Sequence, residues 1–241
     1  MEILIIVSWT ATLLGFGLKL SPIVMFYKIA VGKESIEIVP EMLIICNLLC
    51  PELWFSYWNK QDQMAPWVSS LSSLILGYIF SIIYLFYFSE KKIFKFLLYI
   101  LLETCFVFGL YYFLSYIVED LSIIGSVASV VNIITYISPG QKIIRVIKEK
   151  NYKLIPIVTT ILGCITSSCW LYFGIALSDV KVIVPNFLST FFSALNSFIW
   201  FYFYCKVKKE EKNKTEKDEN EVEMVENKDE EANDNKIKIK N

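Results

Sequence analysis

Four side chains in apolar stretches of the sequence could bind a polar solute without using charge. Asn132 and Asn186 carry amides that both donate and accept hydrogen bonds, and Trp54 and Trp170 offer flat aromatic surfaces. An asparagine within a membrane segment is costly unless it serves a neighbouring helix or a solute. A few polar groups in an apolar cavity would orient a neutral, hydroxyl-bearing molecule. Helix–helix hydrogen bonding by the asparagines and interfacial anchoring by the tryptophans are the alternative roles.

The sequence lacks the usual groups of an enzyme or a metal protein. It contains no histidine, and no nucleophile–base pair, phosphate-binding loop or basic face for nucleic acid is recognisable. The six cysteines fall in or beside apolar runs, where they behave as small hydrophobic residues: Cys46, Cys50, Cys105, Cys164, Cys169 and Cys205. We therefore predict a protein that is not an enzyme, with no cofactor, no metal and no nucleic-acid partner.

The composition indicates a chain that folds in a lipid bilayer, with 55% hydrophobic residues and a mean hydropathy of +0.51. A hydrocarbon core about 30 Å thick needs roughly 20 residues of apolar helix. Seven segments approach this length, at about 3–27, 42–58, 66–88, 93–117, 121–146, 154–177 and 181–205. The second fits least well because it is short and contains Pro51. We predict an all-α membrane protein with seven transmembrane helices, called spans 1 to 7.

Basic residues are distributed unequally between the two ends of these spans. Lys60 and Lys181 lie on one side, whereas thirteen lie on the other: Lys28, Lys33, Lys91, Lys92, Lys95, Lys142, Arg145, Lys148, Lys150, Lys153, Lys206, Lys208 and Lys209. Because lysine and arginine favour cytoplasmic loops, we predict the N-terminus outside and the C-terminus in the cytoplasm. Glu2 stands where a signal peptide would carry a basic residue, so the first segment is taken as a span. The plasma membrane is preferred over an internal membrane.

Sequence landmarks recur at a spacing of 116 or 117 residues: Ser21-Pro22 with Ser138-Pro139, Lys28 with Arg145, Pro40 with Pro156, and Trp54 with Trp170. This spacing predicts two parallel three-helix repeats joined by a linker helix, a 3+1+3 plan. The first repeat covers residues 1–90, the linker 91–118 and the second repeat 119–205. Residues 206–241 form a charged cytoplasmic tail, expected to be disordered or weakly helical. In carriers built from parallel repeats, the solute site lies near the bilayer midplane between the repeats.

Four of the recurring landmarks are prolines, and all four lie toward the predicted cytoplasmic side. Pro22 and Pro139 come late in spans 1 and 5, where each removes one backbone hydrogen bond and can kink its helix. Pro40 and Pro156 stand at the starts of spans 2 and 6, where proline is tolerated. The symmetric placement favours a ring of hinges, with ordinary helix punctuation as the alternative.

At these landmarks the chain resembles the SWEET family of sugar uniporters. Residues 20–28, LSPIVMFYK, resemble the end of that family's first helix, and residues 136–139, YISP, followed by Arg145, resemble the end of the fifth. The other similar features are Val184-Pro185-Asn186 seven residues after Asp179, Trp54 with Tyr57, and Trp170 with Tyr172 and Gly174. The resemblance covers about residues 5–205 and is closer in the second repeat. The family is related to the PQ-loop carriers.

The resemblance implies a bidirectional uniporter that mediates facilitated diffusion of mono- or disaccharides by alternating access. It implies that Asn186 binds sugar hydroxyls and that Trp54 and Trp170 face each other and stack on a pyranose ring. The remaining implied cavity residues are Asn132, Thr166, Cys50, Thr135, Gly15 and Leu18. Tyr57 and Asp179 would form the extracellular gate, and Pro22, Pro40, Pro139 and Pro156 the inner hinge. The implied partners are a sugar and membrane lipid, and assembly into a homo-oligomer is possible under this interpretation.

Span 3 departs from the family pattern. Alignment on Gly77 and Tyr84 places Leu74 where the family has a second asparagine, and Ser81 where a glutamate is usual. A serine cluster could supply hydroxyls instead, with Ser70 and Ser73 the first candidates among Ser69, Ser70, Ser72 and Ser73. An aliphatic residue at a sugar-contacting position would change selectivity or weaken binding.

Three charged residues fall inside the predicted spans. Lys19, one turn before Pro22, either reaches an anionic or polar solute or extends to the cytoplasmic interface, and we prefer the second. Glu52, near the outer end of span 2, is expected to face water. Glu103, deep in span 4, is expected to be protonated and to bond a neighbouring helix, with proton coupling as the alternative.

Other functions with a seven-span plan stay open. A PQ-loop carrier of amino acids or another small solute shares the two-repeat plan, but its kinks fall at Pro-Gln, whereas here they fall at Pro22-Ile23 and Pro139-Gly140. A seven-helix cargo receptor belongs to a different functional class and would need basic groups in its cavity, for which Lys19 is the candidate. A G-protein-coupled receptor fits less well, because its loops are longer and a 116-residue repeat is not expected.

Overall fold

The chain folds into helices that follow the predicted spans. A computed structural model describes residues 2–39, 41–90, 92–135, 143–144, 146–149, 151–152 and 155–239. The main helices are α1 (Glu2–Lys19), α2 (Pro22–Ala30), α3 (Glu41–Asn59), α4 (Met64–Phe88), α5 (Ile93–Tyr112), α6 (Leu121–Thr135), α7 (Ile157–Ala176) and α8 (Val180–Ile239). A 3₁₀ turn, Ile36–Ile38, precedes α3, and a π turn, Phe113–Ile117, extends α5. All regular structure in the described ranges is therefore helical.

Five helical segments are long and apolar enough to cross a bilayer: Glu2–Ala30, Met64–Phe88, Ile93–Ile117, Ile157–Ala176 and Val180–Glu210. They correspond to spans 1, 3, 4, 6 and 7. Span 2 is the 19-residue helix α3, which Asn47, Pro51 and Glu52 make less apolar. Span 5 contains α6, a shorter apolar helix, and residues 136–142 that follow it lie outside the described residues. The predicted all-α membrane fold is confirmed.

Span 1 is interrupted at the predicted kink. α1 ends at Lys19 and α2 begins at Pro22, whose missing N–H is tolerated in a first helical turn. Backbone bonds from Leu20 to Gly17 at 3.3 Å and from Ser21 to Leu18 at 3.1 Å close the interruption. Pro156 immediately precedes α7, whereas Pro40 and Pro139 lie outside the described residues. The hinge role of the four prolines stays a prediction.

Six helices pack as a closed ring in the order α1, α4, α3, α6, α8, α7 and back to α1. The first half of the chain supplies α1, α3 and α4, and the second half supplies α6, α7 and α8. If α1, α3 and α4 are exchanged with α6, α7 and α8, respectively, every helix keeps corresponding neighbours in the ring. Two parallel repeats require this symmetry. α5 packs outside the ring against α3 and α4, where the hydroxyls of Tyr78 and Thr104 form a hydrogen bond. The exact repeat boundaries stay a prediction.

Buried apolar residues hold the two halves together at one end of the ring. This cluster, called the outer core because it lies at the predicted extracellular end, consists of Leu53, Tyr57, Trp58, Leu114, Ile124, Ala128, Phe173 and Val182, which come from both halves and from the π turn. At the opposite end, each half has a cluster of its own. The first half contributes Phe26, Ile29, Val39, Ile44, Phe80 and Tyr84, and the second half contributes Val146, Ile155 and Phe203. In the described residues, the halves therefore share an apolar core at the outer end.

The last helix continues past its apolar part. The backbone of α8 is helical from Val180 to Ile239 and so includes most of the charged tail. The expectation of a disordered or weakly helical tail stays a prediction.

Gly77 allows α4 to pack closely on α3, because a Cβ at this position would collide with the backbone carbonyl of Asn47. We predict that Gly77→Ala lowers the unfolding free energy by about 1–3 kcal/mol, the usual cost of overpacking. Thermal unfolding of the purified protein in detergent would measure the change.

Gly109→Ala is the matched control, because Gly109 is also helical and a Cβ there meets no atom within 4 Å. This substitution should stabilise the protein by up to about 1 kcal/mol through helix propensity. Equal unfolding temperatures for the two variants would contradict the proposed close approach of α3 and α4.

Candidate solute-binding site

A cavity of about 490 Å³ lies inside the ring, between the two halves of the chain. The eleven residues predicted to bind the solute all line it: Gly15, Leu18, Cys50, Trp54, Ser70, Ser73, Asn132, Thr135, Thr166, Trp170 and Asn186. They come from all six ring helices, so tertiary packing brings together residues that are far apart in sequence. Their contact with a solute stays a prediction.

A continuous series of aromatic contacts, here called the aromatic wall, includes three tryptophans that line the cavity and the buried Phe173 that links them. The rings of Trp54 and Trp58 are stacked with centroids 5.9 Å apart, and Trp58 meets Phe173 at 6.0 Å. Phe173 in turn contacts the ring of Trp170 at 5.6 Å. The two predicted tryptophans are thus joined through Trp58 and Phe173. Sequence analysis missed Trp58, although its position four residues after Trp54 places both on one helical face.

The cavity hydroxyls use their hydrogens within their own helices. The bonds run from Ser70 to Pro66 O at 2.9 Å, Ser73 to Ser69 O at 2.7 Å, Thr135 to Asn132 O at 2.6 Å and Thr166 to Leu162 O at 2.8 Å. A hydroxyl has one hydrogen to donate and two lone pairs to accept with. The four oxygens can therefore still accept hydrogen bonds from a solute.

Asparagine amides supply the complementary donors. The Asn186 Nδ2 donates to the backbone oxygen of Val182 at 2.8 Å, which leaves a second N–H and the Oδ1 for a solute. Asn132 lines the cavity from α6. Asn47 of α3 also lines it, and sequence analysis did not select this residue. The cost of an asparagine within an apolar span could have identified it.

Lys19 reaches into the cavity, so the preferred expectation that it extends to the cytoplasmic interface is wrong. Its Nζ donates to the backbone oxygen of Ser69 at 2.8 Å and to the Ser69 Oγ at 3.2 Å. The Thr12 hydroxyl bonds Ala65 O at 3.1 Å, which sets the register of α1 against α4. Ser69, one turn after Ala65, is therefore level with the turn of α1 before Lys19. The amine points back toward the start of α1.

The predicted gate pair is in contact. The Tyr57 hydroxyl donates to Asp179 Oδ2 at 2.6 Å, and the Tyr57 side chain is only 1% exposed. The other oxygen of Asp179 accepts the backbone N–H of Lys181 at 3.1 Å, in the manner of a helix N-cap. Gly125 of α6 makes room for this arrangement, because a Cβ there would collide with the Tyr57 ring and the Lys181 stem. The role of the pair as a gate stays a prediction.

The chain is similar to known sugar transporters. A family profile described as "Sugar efflux transporter for intercellular exchange" matches residues 122–209, which lie almost entirely in the second predicted repeat and run four residues beyond it. The bidirectional sugar transporter SWEET10 of Arabidopsis thaliana is 24% identical over 76% of this chain and 65% of its own length. The sugar transporter SWEET1 of Xenopus laevis is 28% identical over 66% of this chain and 75% of its own.

Over most of its length the chain is therefore similar to members of the SWEET family. A solved structure of a eukaryotic SWEET transporter matches with a TM-score of 0.71 at 18% identity, covering 84% of this chain and 99% of the other. This likeness supports the seven-helix membrane fold. The matched segment spans slightly less than two thirds of the Arabidopsis relative. Because the relatives named here are transporters, they confirm the prediction that the chain is not an enzyme.

The chain departs from the SWEET pattern in its first half, where Leu74 stands at the position of the usual asparagine. Leu74 does not belong to the lining of the cavity, whereas Lys19 and Asn47 do. Two polar groups, one on α1 and one on α3, therefore line the cavity in the half that lacks the usual asparagine. The serines at positions 70 and 73 also line it, as predicted.

The two glutamates within the spans, Glu52 and Glu103, lie outside the cavity lining. Glu52 is 1% exposed, so the expectation that it faces water is wrong. Its helix, α3, packs against α4, α5 and α6, and this packing accounts for the burial of Glu52. Glu103 is half-buried on α5, and its protonation stays untested.

Tyr57→Phe should weaken the closed outer end, because it removes one hydrogen bond to a carboxylate and leaves the ring in place. A hydrogen bond to a charged group contributes about 1.5–3 kcal/mol, so the fraction of molecules whose outer end is open should increase roughly tenfold or more. In a chain whose only cysteine is Cys50, a membrane-impermeant maleimide added from outside would measure the opening. We expect Cys50, which lines the cavity, to react correspondingly faster.

Tyr172→Phe serves as the control for this prediction, since its ring on α7 is 48% exposed. Labelling of Cys50 should be unchanged in that variant. Identical labelling rates for Tyr57→Phe and the unmutated background would show that the hydrogen bond does not hold the outer end closed.

Proposed function

We propose that this protein is a bidirectional sugar uniporter that mediates facilitated diffusion of mono- or disaccharides by alternating access. The observation that carries the proposal is the cavity between the halves, in which hydroxyl acceptors and asparagine amides face an aromatic wall. A sugar needs these three features together, because its hydroxyls both donate and accept hydrogen bonds and its ring has apolar faces. The names of the relatives, which are sugar transporters, point in the same direction.

The size of the cavity suits this class of solute. Its volume of about 490 Å³ falls in the range of roughly 300–1,000 Å³ that is usual for small-molecule sites. The aromatic wall crosses it from Trp54 to Trp170, so a ring stacked on the wall would touch both halves of the protein. Such a solute would respond to any movement of one half against the other.

The packing supports alternating access with the outer end closed. The outer core and the Tyr57–Asp179 bond join the halves at one end, whereas the described apolar clusters at the other end belong to single halves. The break before Pro22 gives span 1 a point at which its inner part could pivot. Rocking of the halves about the solute would open one end as it closes the other, driven by the sugar gradient.

The same proposal includes orientation and location. The N-terminus would lie outside and the C-terminus in the cytoplasm, as the distribution of basic residues favours. The plasma membrane is the preferred location, with lipid around α5 and the outer faces of the ring. Assembly into a homo-oligomer is left open.

Asn186→Ala should abolish sugar flux, because it removes amide groups at the cavity wall while leaving α8 intact. Uptake of labelled hexoses and sucrose into liposomes that contain the purified protein would measure the loss. We expect a reduction of at least about tenfold, the factor lost when a hydrogen-bonding partner of a solute is removed.

Asn196→Ala is the matched control. Asn196 lies on the same helix, its Nδ2 donates to Phe192 O at 3.0 Å in the same way, and it does not line the cavity. Flux should persist in this variant. Normal flux in Asn186→Ala would remove Asn186 from the site, and no flux of any sugar in the folded unmutated protein would defeat the proposed function.

A further inference from the structure

One side chain on the cavity wall carries a full charge. Among the described residues that line the cavity, Lys19 is the single ionisable group besides the thiols of Cys46 and Cys50. None of these described lining residues is a carboxylate or an arginine. A neutral sugar requires no such charge, so the presence of an amine here needs an explanation of its own.

The amine is positioned to serve both the protein and a solute. Two hydrogen bonds to Ser69, at 2.8 and 3.2 Å, account for two of the three donors that an ammonium group has. Its direction, back toward the start of α1, keeps it at the level of the cavity and away from the α1–α2 break. The third donor is then available on the cavity side.

The described structure provides no acidic partner for this amine. The ion pair found in the described residues joins Lys92 and Glu90 in the loop after α4. Asp179 is engaged by Tyr57 and by the start of α8, and Glu52 lies outside the cavity lining. A cation removed from water is costly unless an anion compensates it. A neutral donor could make the bonds to Ser69 at a lower cost.

We propose that Lys19 binds an acidic group of the transported solute, so that the cavity accepts anionic sugars bearing a carboxylate or a phosphate. This inference rests on the proposed function and specifies its substrate class. The acidic group would lie against the Lys19 ammonium and the Asn47 amide, which are donors in the half that has Leu74 at the usual asparagine position. The sugar ring would lie on the tryptophan wall. Its hydroxyls would donate to the serine and threonine oxygens, which would repel an anion.

Liposome uptake of three labelled solutes tests this assignment: glucose, glucuronate and glucose 6-phosphate. We expect either or both anions to enter faster than glucose, and the two anions distinguish a carboxylate site from a phosphate site. Lys19→Gln should lower the ratio of anion to glucose uptake roughly tenfold, the factor associated with a hydrogen bond to a charged group. Lys19→Arg should restore most of that ratio, because it keeps the charge.

Lys60→Gln provides the matched control. The Lys60 Nζ also donates to a neutral backbone oxygen, that of Val118 at 2.6 Å, but it lies outside the cavity. Its substitution should leave the uptake ratio unchanged. An interior-positive membrane potential, set with valinomycin and potassium, should accelerate entry of the anion and leave entry of glucose unaffected.

The outcomes separate the two proposals. Uptake of glucose without uptake of either anion would overturn the role of Lys19 and leave sugar transport standing. The proposed role of Lys19 would also be overturned if the ratio of anion to glucose uptake were the same in Lys19→Gln and the unmutated protein. Equal loss of uptake of all three solutes in a folded Lys19→Gln variant would overturn it too, because Lys19 would then serve only to hold α1 against α4. Absence of uptake for all three in the unmutated, folded protein would defeat the proposed function itself.

Discussion

A polar side chain in the hydrocarbon core of a membrane must find its partners within the protein, and this constraint organises the whole structure. The hydroxyls of the ring helices meet it by donating to carbonyls one turn back. The Tyr57 and Asp179 side chains meet it across the two halves. Ser70, Ser73, Thr166 and Asn186 keep spare hydrogen-bonding capacity and line one cavity, so these solute-binding groups are collected between the helices that they help to stabilise.

The division of the apolar packing explains how such a cavity could be exposed to either side. Outer-end residues of both halves share one core, and Gly125 lets the Tyr57 ring approach α6 closely. The described clusters at the inner end are confined to single halves. Among the described residues, separating the inner ends breaks no apolar cluster shared by the halves, whereas opening the outer end must break a core and a charged hydrogen bond. Under the proposed alternating access, the relative cost of these two steps would set the balance between the two access states.

The sequence predicted the features that depend on the order and spacing of residues. Span positions, the break before Pro22 and the contact between Tyr57 and Asp179 follow from apolar length and from landmarks shared with a known family. Features that depend on how the helices are aligned with one another could not be predicted from the sequence. The direction of Lys19 is set by its alignment with Ser69, and the burial of Glu52 is set by neighbouring helices. Asn47 and Trp58 were missed because they match no shared landmark, although spacing places Trp58 beside Trp54.

Protection of Cys50 by a transported solute tests the central claim most directly, because this thiol lines the cavity between the halves. Alkylation would be followed in liposomes for a chain with Cys50 as its only cysteine, and for a chain with only Cys105, which is exposed on α5. The account predicts that a saturating transported sugar slows alkylation of Cys50 and leaves that of Cys105 unchanged. Equal alkylation of Cys50 with and without a sugar that the same liposomes transport would contradict it, since the sugar would then cross by another route.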